Sequence, residues 1–117
     1  MRTVEKPWGH EIIWAETDDY VGKLLHINDN HRLSRQYHEV KEETIYVNSG
    51  TLTLEIGSKE FGIKTLTLDT GTSYHVTPGT VHRFCACHGD VELMEVSTPH
   101  LDDVVRLEDD YRRIGSE

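Results

Sequence analysis

At 117 residues the chain has room for one domain built on one core. Its 21 acidic residues against 12 basic ones give a net charge of −9, which excludes a general phosphate-backbone binder but leaves room for a local basic pocket. No apolar run is long enough to span a bilayer, and the start, MRTVEKPWGHEIIW, lacks an apolar h-region and a small-residue cleavage site. The expectation is a cytoplasmic protein that engages neither nucleic acid nor membrane.

Short alternating segments divided by turn residues predict an all-β chain. Residues 1–14 read as an N-terminal arm on which Trp8 and Trp14 pack, with a strand at Glu11–Trp14. Gly22–Ile27 follows, with Lys23, Leu25 and Ile27 on one face, so Lys23 is an inward cation at a barrel rim. Ser34–His38 and Thr44–Val47 come next, separated by a turn through Glu39–Glu42. Thr51–Ile56, Ile63–Leu68 and Ser73–Val76 are divided by turns at Asn48-Ser49-Gly50, Gly57-Ser58-Lys59 and Asp69-Thr70-Gly71. His75 is expected to point outward. Val81–Cys87 and Glu92–Val96 complete the set, with Cys85 and Cys87 as two half-buried reduced thiols. Residues 101–117 form a C-terminal tail, in which Leu101–Arg113 is long enough for a short helix. Strands with one apolar face each call for a sandwich or closed barrel, here a single domain over 1–117.

The chemistry concentrates in RQYHEVKEETIYVNSG. Gln36 and His38 share a side of one strand, and the turn after them starts a new strand on which Glu43, Ile45 and Val47 share a face. Glu43 is thus an inward carboxylate among core residues, a position that demands a partner or a metal. In TPGTVHRF, Gly79 permits a tight turn and His82 opens a strand with Phe84 and Ala86 on its face. Two imidazoles, a carboxylate and the Gln36 amide oxygen suit Zn²⁺, Fe²⁺, Mn²⁺, Co²⁺ or Ni²⁺. The predicted metal ligands are Gln36, His38, Glu43 and His82, around one divalent ion, with Zn²⁺ first among those candidates.

QYHEVKEETIYVNSG resembles the first cupin motif, with His38, Glu43 and Gly50 at the family's spacing and Gln36 in place of the commoner first His. GTSYHVTPGTVHRF is similar to the second motif through Gly71, Gly79 and His82, although its proline is shifted to Pro78. KPWG at Lys6–Gly9, LSRQYHEVKEE at Leu33–Glu43 and DDVVRLEDDYRR at Asp102–Arg113 resemble, in order, three segments of the C-terminal domain of type II mannose-6-phosphate isomerases. Lys6, Lys41 and Arg112 stand where those domains have Arg, Arg and Gly.

The resemblance implies a cupin fold (a double-stranded β-helix, or jelly-roll barrel) and metal-dependent interconversion of the aldose and ketose forms of a sugar phosphate. On that reading Lys23 contacts the phosphate or hydroxyls of the substrate, and Arg113, aligned with the terminal Arg of the family tail, reaches the same site. Arg106 reads instead as an ion-pair partner for nearby acids. The family also implies a homodimer formed through the N-terminal strand. Two other functions stay open: a metal-containing barrel that binds a sugar or sugar phosphate without turnover, and a non-haem iron dioxygenase, which uses the same two-His-one-carboxylate set.

Overall fold

Alternation along the chain becomes eleven strands in the computed structural model, which describes residues 1–113. They are β1 (Arg2–Lys6), β2 (Gly9–Glu16), β3 (Val21–Ile27), β4 (Arg35–Tyr37), β5 (Glu43–Ser49), β6 (Leu52–Ser58), β7 (Gly62–Leu68), β8 (Ser73–Val76), β9 (Val81–Cys85), β10 (Val91–Ser97) and β11 (Val105–Glu108). A six-stranded sheet, ordered β1-β2-β3-β10-β5-β8, faces a five-stranded sheet, ordered β11-β4-β9-β6-β7, and every pairing is antiparallel. The alternation of sheets along the chain is that of a jelly-roll barrel.

Register explains how one barrel carries both a core and a site. On the inner face of the larger sheet, Val91 pairs with Ile27, and Leu93 lies between Leu25 and Val47. All five are buried in the hydrophobic cluster, together with Leu54 and Phe84 from the opposite sheet. Two residues further along β10, Glu95 lies between Lys23 and Ile45, and Ser97 pairs with Glu43. In the smaller sheet the same step runs from Phe84 to His82, which pairs with Gln36. One end of the barrel is therefore apolar, and the other buries Glu11, Lys23, Lys41, Glu43 and Glu95 beside His38 and His82.

Three boundaries differ from expectation. The arm holds a strand of its own, β1, which forms a hairpin with β2. The tail forms no helix among the described residues; β11 pairs with β4, because Val105 and Arg106 complete a sheet edge that would otherwise be open. Residues 114–117 of the predicted tail lie outside the described residues. The Gly57-Ser58-Lys59 break also falls later than expected, since Gly57 and Ser58 belong to β6. A Cβ on Gly57 would sit 2.1 Å from the Gly62 carbonyl oxygen, so only glycine lets the β6–β7 hairpin close this tightly. No helix long and apolar enough to cross a membrane occurs among the described residues.

Candidate metal centre

Three elements converge at the polar end. β4 delivers Gln36 and runs directly into His38; a bend at Glu39–Val40 reverses the chain; and β5 begins at Glu43 with its side chain inward. The turn before β9 is held by Gly79, whose positive φ of 81° suits glycine and whose N–H donates to the His38 carbonyl at 2.7 Å. That bond ties the turn leading to His82 against the first histidine.

His38, Glu43 and His82 are all buried, and their candidate ligand atoms lie within 4.8 Å of one another. His38 Nε2 is 3.4 Å from Glu43 Oε2, and His82 Nε2 is 3.5 Å from Glu43 Oε1. Bond lengths of about 2.0–2.2 Å to a common ion require ligand separations of about 3.4 Å, so the spacing fits. The tautomers fit as well. His38 Nδ1–H donates to the Asp103 carbonyl at 2.5 Å, and His82 Nδ1–H donates to the Thr80 carbonyl at 2.9 Å. Both Nε2 atoms are left for a cation, the usual arrangement of ligating histidines.

Glu43 supplies the sharper test. Lys41 Nζ forms an ion pair with Oε2 at 3.0 Å, which leaves most of the hydrogen-bonding capacity of the two buried carboxylate oxygens unused. A buried carboxylate in that state is costly unless something positive completes it. Burial alone would raise this carboxyl, yet His38, Lys41 and His82 hold it well below the usual carboxylate range. Burial also pushes the His82 imidazole below its ordinary value despite Glu43, which favours the neutral, ligating form. Gln36 lines the same pocket, and its amide nitrogen donates to Ser34 Oγ at 3.1 Å. Its carbonyl oxygen is then the atom that can serve a cation.

The remaining wall is ionic. Lys23 is buried, as its strand parity predicted, and pairs with Glu11 at 3.5 Å. Lys41 is buried between Glu43 and Glu95, the latter at 3.2 Å. Burial opposes charge on Lys41, but Glu95 and Glu43 raise its pKa; burial and Glu43 raise that of Glu95. Arg113 lines the pocket while its guanidinium donates to Asp109 at 2.7 and 3.1 Å. Arg106 also lines the pocket, as the cross-strand neighbour of Gln36, and so is more than the surface ion-pair partner its acidic surroundings suggested. Lys6, from the β1–β2 hairpin, completes this group, its ammonium pushed below the ordinary value by burial and by Lys23, Arg113 and Arg106 despite Glu11. Trp8 is buried in the core and lines the pocket instead of only packing the arm. His75 is exposed, as expected, and meets Glu42 at 2.5 Å, so it takes no part in the site.

Sequence reasoning noted Lys6 and Lys41 only as departures from the family pattern, read Arg106 as an ion-pair partner, and missed Glu95 altogether. Parity was the available signal for Glu95, since it alternates with Leu93 on an apolar face.

Two antiparallel sheets close into a β-barrel around a His–Glu–His group that could hold a metal ion. Residues 23–98 match the cupin domain family, and the chain belongs to that family. The chain is similar in structure to KdgF from Halomonas sp., with a TM-score of 0.72 and 19% identity over 87% of this chain and 91% of that one. It is also similar to the capsular polysaccharide assembling protein CapF from Staphylococcus aureus, with a TM-score of 0.80 and 15% identity over 92% of this chain and 34% of that one. FeII HppE aligns with a TM-score of 0.68 and 21% identity over 82% of this chain and 55% of that one. At these identities the likenesses show the fold alone. No curated protein matches the chain significantly.

Proposed function

We propose that this cupin is a metal-dependent isomerase that interconverts the aldose and ketose forms of a phosphorylated hexose such as mannose 6-phosphate. One observation carries the reading: in a protein of net charge −9, a two-His-one-carboxylate site shares its pocket with Lys6, Lys23, Arg106 and Arg113. A pocket that concentrates cations in an acidic protein selects an anionic ligand. A divalent ion held by His38, Glu43, His82 and Gln36, with Zn²⁺ proposed first and Mn²⁺, Fe²⁺, Co²⁺ or Ni²⁺ suiting the same donors, supplies a Lewis acid for a carbonyl oxygen. The chain's own residues supply the rest. Arg113, fixed by Asp109, and Lys23, fixed by Glu11, anchor phosphate and hydroxyls, so that remote binding energy orients the sugar. Glu11 and Glu95 are the remaining pocket carboxylates, and on this reading one of them carries the proton that leaves C2 of the aldose and returns at C1 of the ketose.

Metal-reconstituted protein incubated with a panel of hexose phosphates in D₂O tests this. Deuterium entering at C1 of the ketose as it forms, and at C2 of the aldose in the reverse direction, supports an isomerase. Absence of exchange with every sugar, across the five metals, rejects it and favours a sugar-phosphate binder. That second reading has its own support, because both pocket carboxylates are already paired with lysines. The dioxygenase reading is the weakest, since Gln36 in the first-ligand position and the isomerase-like C-terminal segment argue against it; oxygen uptake by the iron-loaded protein would restore it.

Pairing of two copies is also proposed. Ile12, Leu24, Met94 and Tyr46 stand side by side across four strands on the outer face of the larger sheet. Trp14, lying over Gly22, and Val96 extend this band, with Trp14 and Tyr46 each 45% exposed and Val96 52%. Two such faces meeting on a two-fold axis are self-complementary.

A further inference from the structure

We propose that Asp103 is a positioning residue that couples metal binding to docking of the C-terminal segment over the pocket. The inference rests on the metal centre described above and on no particular substrate.

Asp103 makes four hydrogen bonds to the stretch that carries the ligands, besides donating its own N–H to the His100 carbonyl at 3.2 Å. Its backbone carbonyl accepts the His38 Nδ1–H at 2.5 Å, which fixes the tautomer and turns Nε2 toward Glu43. Its carboxylate accepts three successive backbone N–H groups: Oδ1 from Glu39 at 3.0 Å, and Oδ2 from Val40 at 2.7 Å and Lys41 at 2.8 Å. Those residues are the connection between His38 and Glu43. A single side chain therefore holds the link between two ligands, while its own main chain orients the first of them. Such outer contacts of a metal-bound histidine typically change affinity about 10–100-fold when removed.

The residues around Asp103 give the clasp its consequence. Leu101, Val104 and Arg106 all line the pocket, and Arg106 lies beside Gln36 in register. The segment that bears a pocket cation is thereby fastened to the loop that bears the metal ligands. Metal binding that orders the 38–43 loop must favour the docked segment, and the docked segment must favour metal binding to the same extent, because coupling between sites is reciprocal. The pocket's anion-binding wall is completed when the metal centre is formed.

Full-length protein is titrated with Zn²⁺ against a competing chelator, and backbone amide exchange is followed with and without Zn²⁺. In the wild type, Zn²⁺ is expected to slow exchange at residues 39–41 and also at 103–106. Asp103→Ala keeps the main-chain carbonyl that meets His38 but removes the carboxylate that holds residues 39–41, so it is expected to bind Zn²⁺ more weakly than the wild type and to lose the zinc-dependent protection of 103–106, while exchange in β6 and β9 is unchanged. A purely structural role would instead raise exchange throughout the barrel and leave the zinc-dependent difference intact. If Asp103→Ala does not fold, Asp103→Asn, which keeps one acceptor oxygen, carries the same comparison, with an intermediate affinity expected. Wild-type affinity in the variant that folds, or no zinc-dependent protection of 103–106 in the wild type, overturns the proposal. A wild type that takes up no zinc at all removes the metal centre itself, a result distinct from either.

Discussion

Two cysteines two residues apart illustrate how burial sets reactivity. Cys85 is buried within β9 and Cys87 is exposed just beyond it. Burial, helped by Glu55 and Cys87, pushes the Cys85 thiol up to about 12, so it stays protonated at any ordinary pH. Native protein treated with iodoacetamide at about pH 8 is expected to be alkylated at Cys87 alone; peptide mapping that finds Cys85 modified at a similar rate would contradict this. The same shift has a stability sign. A thiol in the unfolded chain loses its proton near 9.0 while the folded one holds it to about 12, so the native state is progressively weakened as pH rises through that window. Cys85→Ala should flatten that part of the pH–stability curve. Lys41 makes a larger contribution, because it is buried between Glu43 and Glu95. Lys41→Met leaves two buried carboxylates facing each other and should cost about 3–5 kcal/mol in the metal-free chain, by denaturant titration. Adding Glu95→Gln should recover part of that loss; no recovery would mean the two carboxylates do not interact.

At the scale of elements, the β6–β7 hairpin depends on Gly57. A Cβ there meets the Gly62 carbonyl at 2.1 Å, so Gly57→Ala is expected to lower stability by roughly 2 kcal/mol. An unchanged thermal midpoint would show that the hairpin opens without cost. Period-two alternation made strands such as β3, β5 and β6 legible, and with them the inward Glu43 and Lys23. It found β9 and its inward His82 but failed to show that the outer face of that strand is covered as well. In β9 every residue is buried, because Arg83 on the outer face donates to the Leu33 and Glu108 carbonyls beneath the C-terminal segment. It failed again at β11, a short strand whose reason to exist is pairing with β4 and not a pattern of its own. Long-range register likewise placed Arg106 beside Gln36 and Asp103 against His38, contacts that span 65 residues in the second case and leave no local signature.

For the whole molecule, the apolar end of the barrel supplies stability and the polar end holds the site, an arrangement set by register along β3, β5 and β10. The outer face of the same sheet carries the apolar band proposed above for pairing. Met94→Glu, which places a charge in the centre of the exposed apolar band, is expected to turn a dimer into a monomer in sedimentation velocity without changing the circular dichroism spectrum. A wild type that sediments as a monomer at high concentration would end the pairing proposal. The metal centre is tested most directly by elemental analysis of protein loaded with Zn²⁺ and then dialysed against a weak chelator. About one equivalent per chain is expected in the wild type, and less than about a tenth of that in His38→Ala and His82→Ala, with both variants still folded. A full equivalent retained by both variants would contradict the assignment of His38, Glu43 and His82 as the metal site.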